Sequence, residues 1–500
     1  MDDSPPTLLV FEDARHEMLP SWVIMCFTIN VIMGSGFLGV PYGFLLSGPL
    51  LGTLVVLAVT MLQWLAACLL SQVISRANAV LGADNAADIL TPTLTPLTLS
   101  EADSAARQPR AGPLALLLPS HTTYEIPMLC RLFIGRWAER LVMLSVSLYL
   151  VGSLWSYISV FAASMAAVVP LPGLLRHHDS LATCDIYQTD MHGGSCLTLY
   201  YFWVLVFAIA MAVLLALDMR EQACFQCTMT ALRGCIIALM VLTLLLGERS
   251  DFGLEEEEGE VPTDTPETPV RWSGLSTIVL IGVFCQNFQM GVPSLLQPLK
   301  QKSDFPKVFA GALACTFIMY TILGLSAVRA LGADVDPSCN LNWSSYRIPM
   351  ITLVVSLFPA LDCVSVFPMN AIFLANNLLA VVFQRRWHAG QVGRKTRYSY
   401  RFACCVPSFV CAFLFPSLSK ALDFTGVVGI LLPFIVTPTL FIVSLRACRK
   451  KWGVKKFDDA ESVGGLANFG CSSPIAITAF AIFGALLFLY TVVHGIVNGF

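Results

Sequence analysis

Hydrophobic residues in this chain run in long unbroken blocks, not in the alternating or one-faced patterns of soluble strands and helices. The blocks lie near residues 21–48, 49–73, 141–169, 199–218, 223–247, 275–298, 308–328, 348–383, 402–418, 424–445 and 473–497. A helix needs about 20 mostly apolar residues to cross a hydrocarbon layer roughly 30 Å thick. The pattern therefore predicts an all-α polytopic membrane protein with eleven transmembrane helices. The long polar stretch after the second block centres on "LTPTLTPLTLSEADSAARQPRAGP", rich in Pro, Thr, Ser and Ala without periodicity, and reads as a disordered loop over about 76–125. Its end, "TTYEIPMLCRLFIGRWAERL", reads as an amphipathic lead-in to the third span.

Composition agrees with this reading: of 500 residues, 56% are hydrophobic and 13% charged. A net charge of −3 gives no reason to expect a nucleic-acid partner. Charge placement says more. With the N-terminus in the cytoplasm, the inner segments carry 23 of the 30 Lys and Arg and the outer segments six, with Arg233 inside a span. The acidic run Glu255–Glu258 and the single N-x-[ST] acceptor, Asn342, then fall outside, and the basic stretch "RRWHAGQVGRKTRYSYR" inside. The acidic run reads as a solvated loop. The first 21 residues are acidic and lack a basic segment before the apolar block, so the first span itself is expected to direct insertion. Of 17 cysteines only Cys184, Cys196 and Cys339 lie in outer loops, which predicts one disulfide and one cysteine left over. The pair Cys224 and Cys227 has no second ligand pair and reads as structural, so no metal site is expected.

The first span is unusual. "INVIMGSGFLGVPYGFLLSG" holds five glycines and a proline in what should be continuous helix. Gly39 and Gly43 form a G-x-x-x-G pair of the kind that lets membrane helices pack closely. Gly34-Ser35-Gly36 has another reading, a stretch of unwound backbone facing a protein-lined cavity. A second interruption favours unwinding. In "LIGVFCQNFQMGVPSLLQPLK" of span six, Gln286, Asn287 and Gln289 break an apolar run, followed by Gly291 and Pro293. Transporters built from inverted repeats carry discontinuous helices at corresponding positions of their halves. Five spans per repeat is an odd number, so repeats over 21–247 and 275–446 have opposite orientation, with a cytoplasmic tail at 1–20 and an eleventh helix at 473–497.

The motif "GSGFLGVPYGFLLSG" resembles the first-span signature of the amino acid/auxin permease family. Looser similarity extends through "TTYEIPMLCRLFIGRWAERLVMLSVSLYLVGSLWSY", "GVPSLLQPLKQKSDFPKVFAGALACTFIMYTILGLSAVRALG" and "VVSLFPALDCVSVFPMN". The resemblance implies a secondary transporter of the LeuT-like fold shared with the amino acid/polyamine/cation carriers, moving amino acids with a proton or a sodium ion and needing no other cofactor. The substrate carboxylate would meet backbone amides at Gly34, Ser35 and Gly36, where a half-helix N-terminus carries partial positive charge. Its amino group would meet carbonyls from Phe284 to Asn287, including Gln286. Tyr157 and Ser156 on span three and Thr425 on span ten are further candidates for the pocket. The resemblance also implies a disulfide between Cys339 and either Cys184 or Cys196.

Sodium-coupled members of that family place an asparagine four residues before the first glycine of the break, and Asn30 stands there. Their partner in span eight is a hydroxyl residue, and here the aligned position is Leu361 or Asp362. Charges inside a membrane are costly and mark function by default, which singles out Arg233 and Asp362. Arg233 either reaches out to the interface, merely neutralises Asp362, or takes the place of a sodium ion, with Asp362 as the group that can carry a proton. Proton coupling or exchange is therefore expected over sodium symport. His494 reads as an interfacial residue. A membrane enzyme would need clustered acid, base or nucleophile groups, and no such cluster is present in the sequence. A transporter-like amino-acid sensor signalling through its inner loops is the other alternative. The setting is a plasma membrane or an acidic organelle such as a vacuole or lysosome, and the oligomeric state is open.

Overall fold

The computed structural model describes residues 18–89, 118–119, 123–169, 194–217, 221–254, 268–384, 387, 392–416, 418–463 and 473–498. Every regular element among them is helical, and the one β contact is the single bridge between Leu19 and Leu299. Among the described residues, nine helices are long and apolar enough to cross a membrane, and the bent pair in span one makes ten. The remaining block of the expected eleven is the helix Arg394–Leu414. It falls short because its first two turns hold Arg394, Lys395, Arg397 and Arg401. Buried Arg401 uses that position to donate to the carbonyls of Leu215 and Leu217, both at 3.1 Å, at the end of span four.

Two helices are broken. Span one runs as Ser21–Ile32 and Val40–Ser47, joined by a 3-10 turn at Ser35–Gly39 and bent by 55°. Span six runs as Leu275–Gln286 and Val292–Leu296, joined by a 3-10 turn at Gln289–Gly291. The other spans are Pro49–Ile89, Arg136–Val168, Gly194–Leu214, Ala223–Leu246, Phe305–Leu331, Pro349–Val382 and Pro474–Asn498, with span ten running from Leu418 to Trp452 through a π turn at Leu432–Val436. Span two continues to Ile89, past the loop boundary expected near 76. The lead-in to span three is a helix, Ile126–Phe133, as its amphipathic pattern suggested. Span six is mostly buried and span eleven mostly exposed, so the broken helices form the interior and the eleventh lies at the periphery.

Both ends of the interior are held by hydrogen bonds between elements. On the N-terminal side, Leu19 N–H donates to Pro298 at 2.7 Å and Lys300 N–H donates back to Leu19 at 2.9 Å. Ser21 Oγ adds a bond to Asp304 at 3.0 Å. On the opposite side, the 3-10 turn Cys339–Trp343 packs against the second half of span one, and Trp343 Nε1 donates to Thr243 at 3.0 Å.

Where the end of span one meets the start of span six, Arg271 N–H donates to Ser47 at 2.7 Å, and Gly274 lies against the Leu46 backbone so tightly that a Cβ would overlap it. Gly274→Ala should therefore lower unfolding stability in detergent by about 1–3 kcal/mol. Gly393→Ala, with nothing within 4 Å of the added carbon, should cost less, about 0.5 kcal/mol, from the loss of glycine at a helix N-cap. A thermal unfolding series on both variants checks the contrast.

Candidate functional site

The two breaks face one another, and glycine is what lets them approach. A Cβ on Gly34 would collide with the Tyr157 hydroxyl on span three. One on Gly36 would sit 2.6 Å from the Phe284 ring and 2.8 Å from Cys285 Sγ on span six. Ser35 opens the 3-10 turn between them, with Gly34 as its N-cap. In span six the helix ends at Gln286, and Asn287 turns extended, with φ −84° and ψ 114°.

Backbone groups released by these breaks need partners inside the protein. Tyr320 of span seven supplies one for both, its hydroxyl lying 3.4 Å from the Ile32 carbonyl and 3.3 Å from the Cys285 carbonyl. Asn287 Oδ1 accepts from Gln289 N–H at 3.2 Å, and its Nδ2 donates to the Gly429 carbonyl on span ten at 3.2 Å.

Thus Gly34, Gly36, Tyr157 and Phe284 come together, whereas Gln286 turns away. Its Nε2 donates to Thr60 Oγ1 at 3.1 Å and its Oε1 accepts from Thr316 at 3.0 Å, clasping spans two, six and seven. Asn287 is engaged with span ten, and Ser156 bonds back to Ser153 of its own helix at 2.8 Å. Thr425 lies against Gly152 of span three, where its Oγ1 would meet an added Cβ. Tyr320 was not legible in the sequence, because one tyrosine in an apolar span carries no local signal.

Below the break lies a second polar centre. Arg233 is fully buried, donates through Nε to Asp362 Oδ1 at 2.8 Å and through Nη2 to the same oxygen, and is 0% exposed against 1% for the aspartate. Its Nη1 reaches span one, donating to Asn30 Oδ1 at 3.0 Å and to the Ile29 carbonyl at 3.4 Å. It therefore does not reach out to the interface. Asn30 is fully occupied. Its Nδ2 donates to the Gln226 carbonyl at 2.8 Å and to Gln226 Oε1 at 2.7 Å, and its Oδ1 also accepts from Thr230 at 2.9 Å. Of the two span-eight alternatives, Leu361 points outward, 44% exposed, and Asp362 points in. Gln226, Thr230 and Arg233 recur at helical spacing on one face of span five, a signal present in the sequence but not drawn from it.

A family model described as "Transmembrane amino acid transporter protein" matches residues 21–495. The chain belongs to that family. Among relatives, it is 21% identical over 416 residues to "Transmembrane protein 104 homolog" of Dictyostelium discoideum, covering 74% of this chain and 77% of that one. The Drosophila melanogaster protein of the same name is 21% identical, covering 66% of each chain. Mus musculus "Transmembrane protein 104" is 20% identical, covering 72% of this chain and 75% of that one. The crystal structure of MhsT in complex with L-phenylalanine superposes with a TM-score of 0.51 at 14% identity, covering 94% of this chain and 97% of that chain. That likeness is one of fold, and it gives the LeuT-like arrangement of two broken helices. Family and fold together make the chain a multi-pass membrane transporter, not an enzyme.

The expected disulfide needs correction. Cys339 carries a free, fully buried thiol in the 3-10 turn, while Cys196 is disulfide-bonded and Cys184 lies outside the described residues. Asn342, the glycan acceptor of the sequence reading, donates through Nδ2 to the Asp334 carbonyl and accepts from Asp336 N–H at 3.1 Å.

The geometry separates a clasp from a contact surface. Gln286→Leu removes two hydrogen bonds between spans whose threonines keep their own helix partners, so it should cost about 1 kcal/mol of stability and leave amino-acid binding intact. Gly34→Ala, which must displace Tyr157, should abolish binding. Ligand-induced thermal stabilisation across a panel of amino acids measures both.

Proposed function

We propose that the chain moves amino acids across a membrane by alternating access, and that it runs with a proton or as an exchanger, independently of sodium. The observation that carries this reading is the buried guanidinium of Arg233, which ties span one to span eight at the place the resemblance assigns to a sodium ion. Asn30, the asparagine of that site, already spends its amide on Gln226, Thr230 and Arg233. A sodium ion would have to displace a cation that cannot lose its own charge. Asp362 can lose its charge. Both arginine bonds fall on Oδ1, and buried Oδ2 has no hydrogen-bond partner among the described residues, which leaves it open to a proton.

The substrate belongs at the facing breaks. Its carboxylate would meet the N–H groups that open the Ser35–Gly39 turn, as anions meet helix N-termini generally. The side chain would lie toward Tyr157 and Phe284, both almost wholly buried, which favours apolar or modest-sized substrates over long charged ones. The N-terminus lies in the cytoplasm in this reading, on the strength of the Lys and Arg bias.

Uptake into proteoliposomes separates the coupling schemes. An inward proton gradient or internal amino acid should drive labelled uptake, and a sodium gradient alone should not; strict sodium dependence would sink the proposal. Asp362→Asn leaves a buried guanidinium without its counter-charge and should destabilise the protein by about 3–5 kcal/mol. Combining it with Arg233→Gln should restore much of that stability and remove the gradient dependence. Thermal unfolding and uptake on the two single variants and the double variant complete the cycle.

A further inference from the structure

Glu125 is the buried acid that the reading above does not use. It stands just before the helix Ile126–Phe133, at the N-terminal end of the bundle, outside the spans, and is 0% exposed. Glu125 is the N-cap residue of that helix, and its side chain makes no capping bond. It turns into the bundle instead. There Oε1 accepts from Ser294 Oγ at 3.5 Å, on the short second half of span six, and Oε2 has no hydrogen-bond partner among the described residues. Ser294 is held in turn by Asn376 Nδ2 of span eight at 3.4 Å. The chain of contacts joins the lead-in helix, the second half of a broken span and span eight.

Among the described residues, no cation compensates the carboxylate. Spans two, three, eight and ten pack against the lead-in helix. Arg76 of span two donates to the Phe441 carbonyl and to Ser444, both at 3.1 Å, with its guanidinium over the Phe441 ring. Arg131, on the lead-in helix itself, pairs with Glu139 of span three at 3.3 Å. Arg449 of span ten pairs with Asp458, and Lys451 donates to the Val80 carbonyl at 3.4 Å. Arg446 and Lys450 point outward, and the described inner half of span eight carries no charge beyond Asp362. Lys302, after span six, donates to the Leu296 and Gln297 carbonyls.

We propose that Glu125 is a proton-binding site that latches the inner end of the broken sixth span, holding it shut while protonated and releasing it on ionisation. The inference rests on the alternating-access reading, in which that end must open to water. On opening, water reaches Glu125, its O–H bond breaks, and the proton leaves to the solvent on the N-terminal side. Closure re-forms the acid. The direction agrees with the environment, since burial raises the Glu125 carboxyl from its ordinary 4.5 to about 8, against a smaller lowering by the Ser294 hydroxyl. An acid bound more tightly in the closed state favours closure fully below 4.5, and that preference is gone by about 8.

Hydrogen exchange of the purified full chain, corrected for intrinsic rates, reads the latch without any substrate. Amides of Ile126–Phe133 and Val292–Leu296 should open more as pH rises from 5 to 8, by up to tenfold per unit, and level off above that. Glu125→Gln should hold them at the low-pH protection throughout. Ser294→Ala removes the one bond that favours the ionised form and should move the plateau to higher pH, which tests the site even if the glutamine variant folds poorly. Parallel profiles in wild type and Glu125→Gln, or a plateau unmoved in Ser294→Ala, overturn the latch. Proton-driven uptake by a protein whose inner end is indifferent to pH overturns the latch alone, and leaves the transport reading standing.

Discussion

Backbone released inside a membrane has no water to bond to, and each unpaired group costs on the order of several kcal/mol. Two breaks in two buried helices would be ruinous apart; they are tolerable together. Gly34 and Gly36 bring the first break against Tyr157 and the second break, and Tyr320 reaches the last carbonyls of both half-helices. Asn287 uses its own side chain to take up the Gln289 amide. The Ser35–Gly39 turn is set where a half-helix begins. In the proposed function, a negatively charged ligand group would meet the amides at that helix start.

A buried ion pair performs a different task a few residues away. Arg233 and Asp362 bring opposite charges from spans five and eight out of water, which adds little to stability by itself because desolvation offsets most of the attraction. Its worth lies in what it joins. One guanidinium holds Asn30 and Ile29 of the first half-helix to Asp362 of span eight, and in the proposed transport scheme a change in protonation at Asp362 would act directly on that half-helix. Glu125 stands at the far end of the same machinery, against the other broken helix. The two acids differ in kind. Asp362 has a cation beside it, and Glu125 has only a serine and burial.

The membrane architecture was legible because hydrophobic blocks of span length have few other readings. The breaks were legible because glycine, proline and amide side chains inside such blocks violate the rule that makes them helices. Positions along the chain were therefore recoverable, but helix rotation was not. Gln286 looked like a ligand and proved to be a clasp between Thr60 and Thr316, since a polar side chain next to a break can face any of several neighbours. The Cys339 pairing failed for a related reason: loop cysteines can be counted in sequence, but burial cannot, and the Cys339 thiol is free and fully buried. Leu361 and Asp362 could be told apart only once one of them was seen to face outward.

The account turns on the facing breaks being where an amino acid binds. Hydrogen exchange of the purified protein with and without a stabilising amino acid tests this at the residues concerned. Protection confined to peptides covering Met33–Phe37 and Phe284–Gln289 is the predicted result. Unchanged exchange in both segments, with protection appearing elsewhere in the bundle, would contradict it.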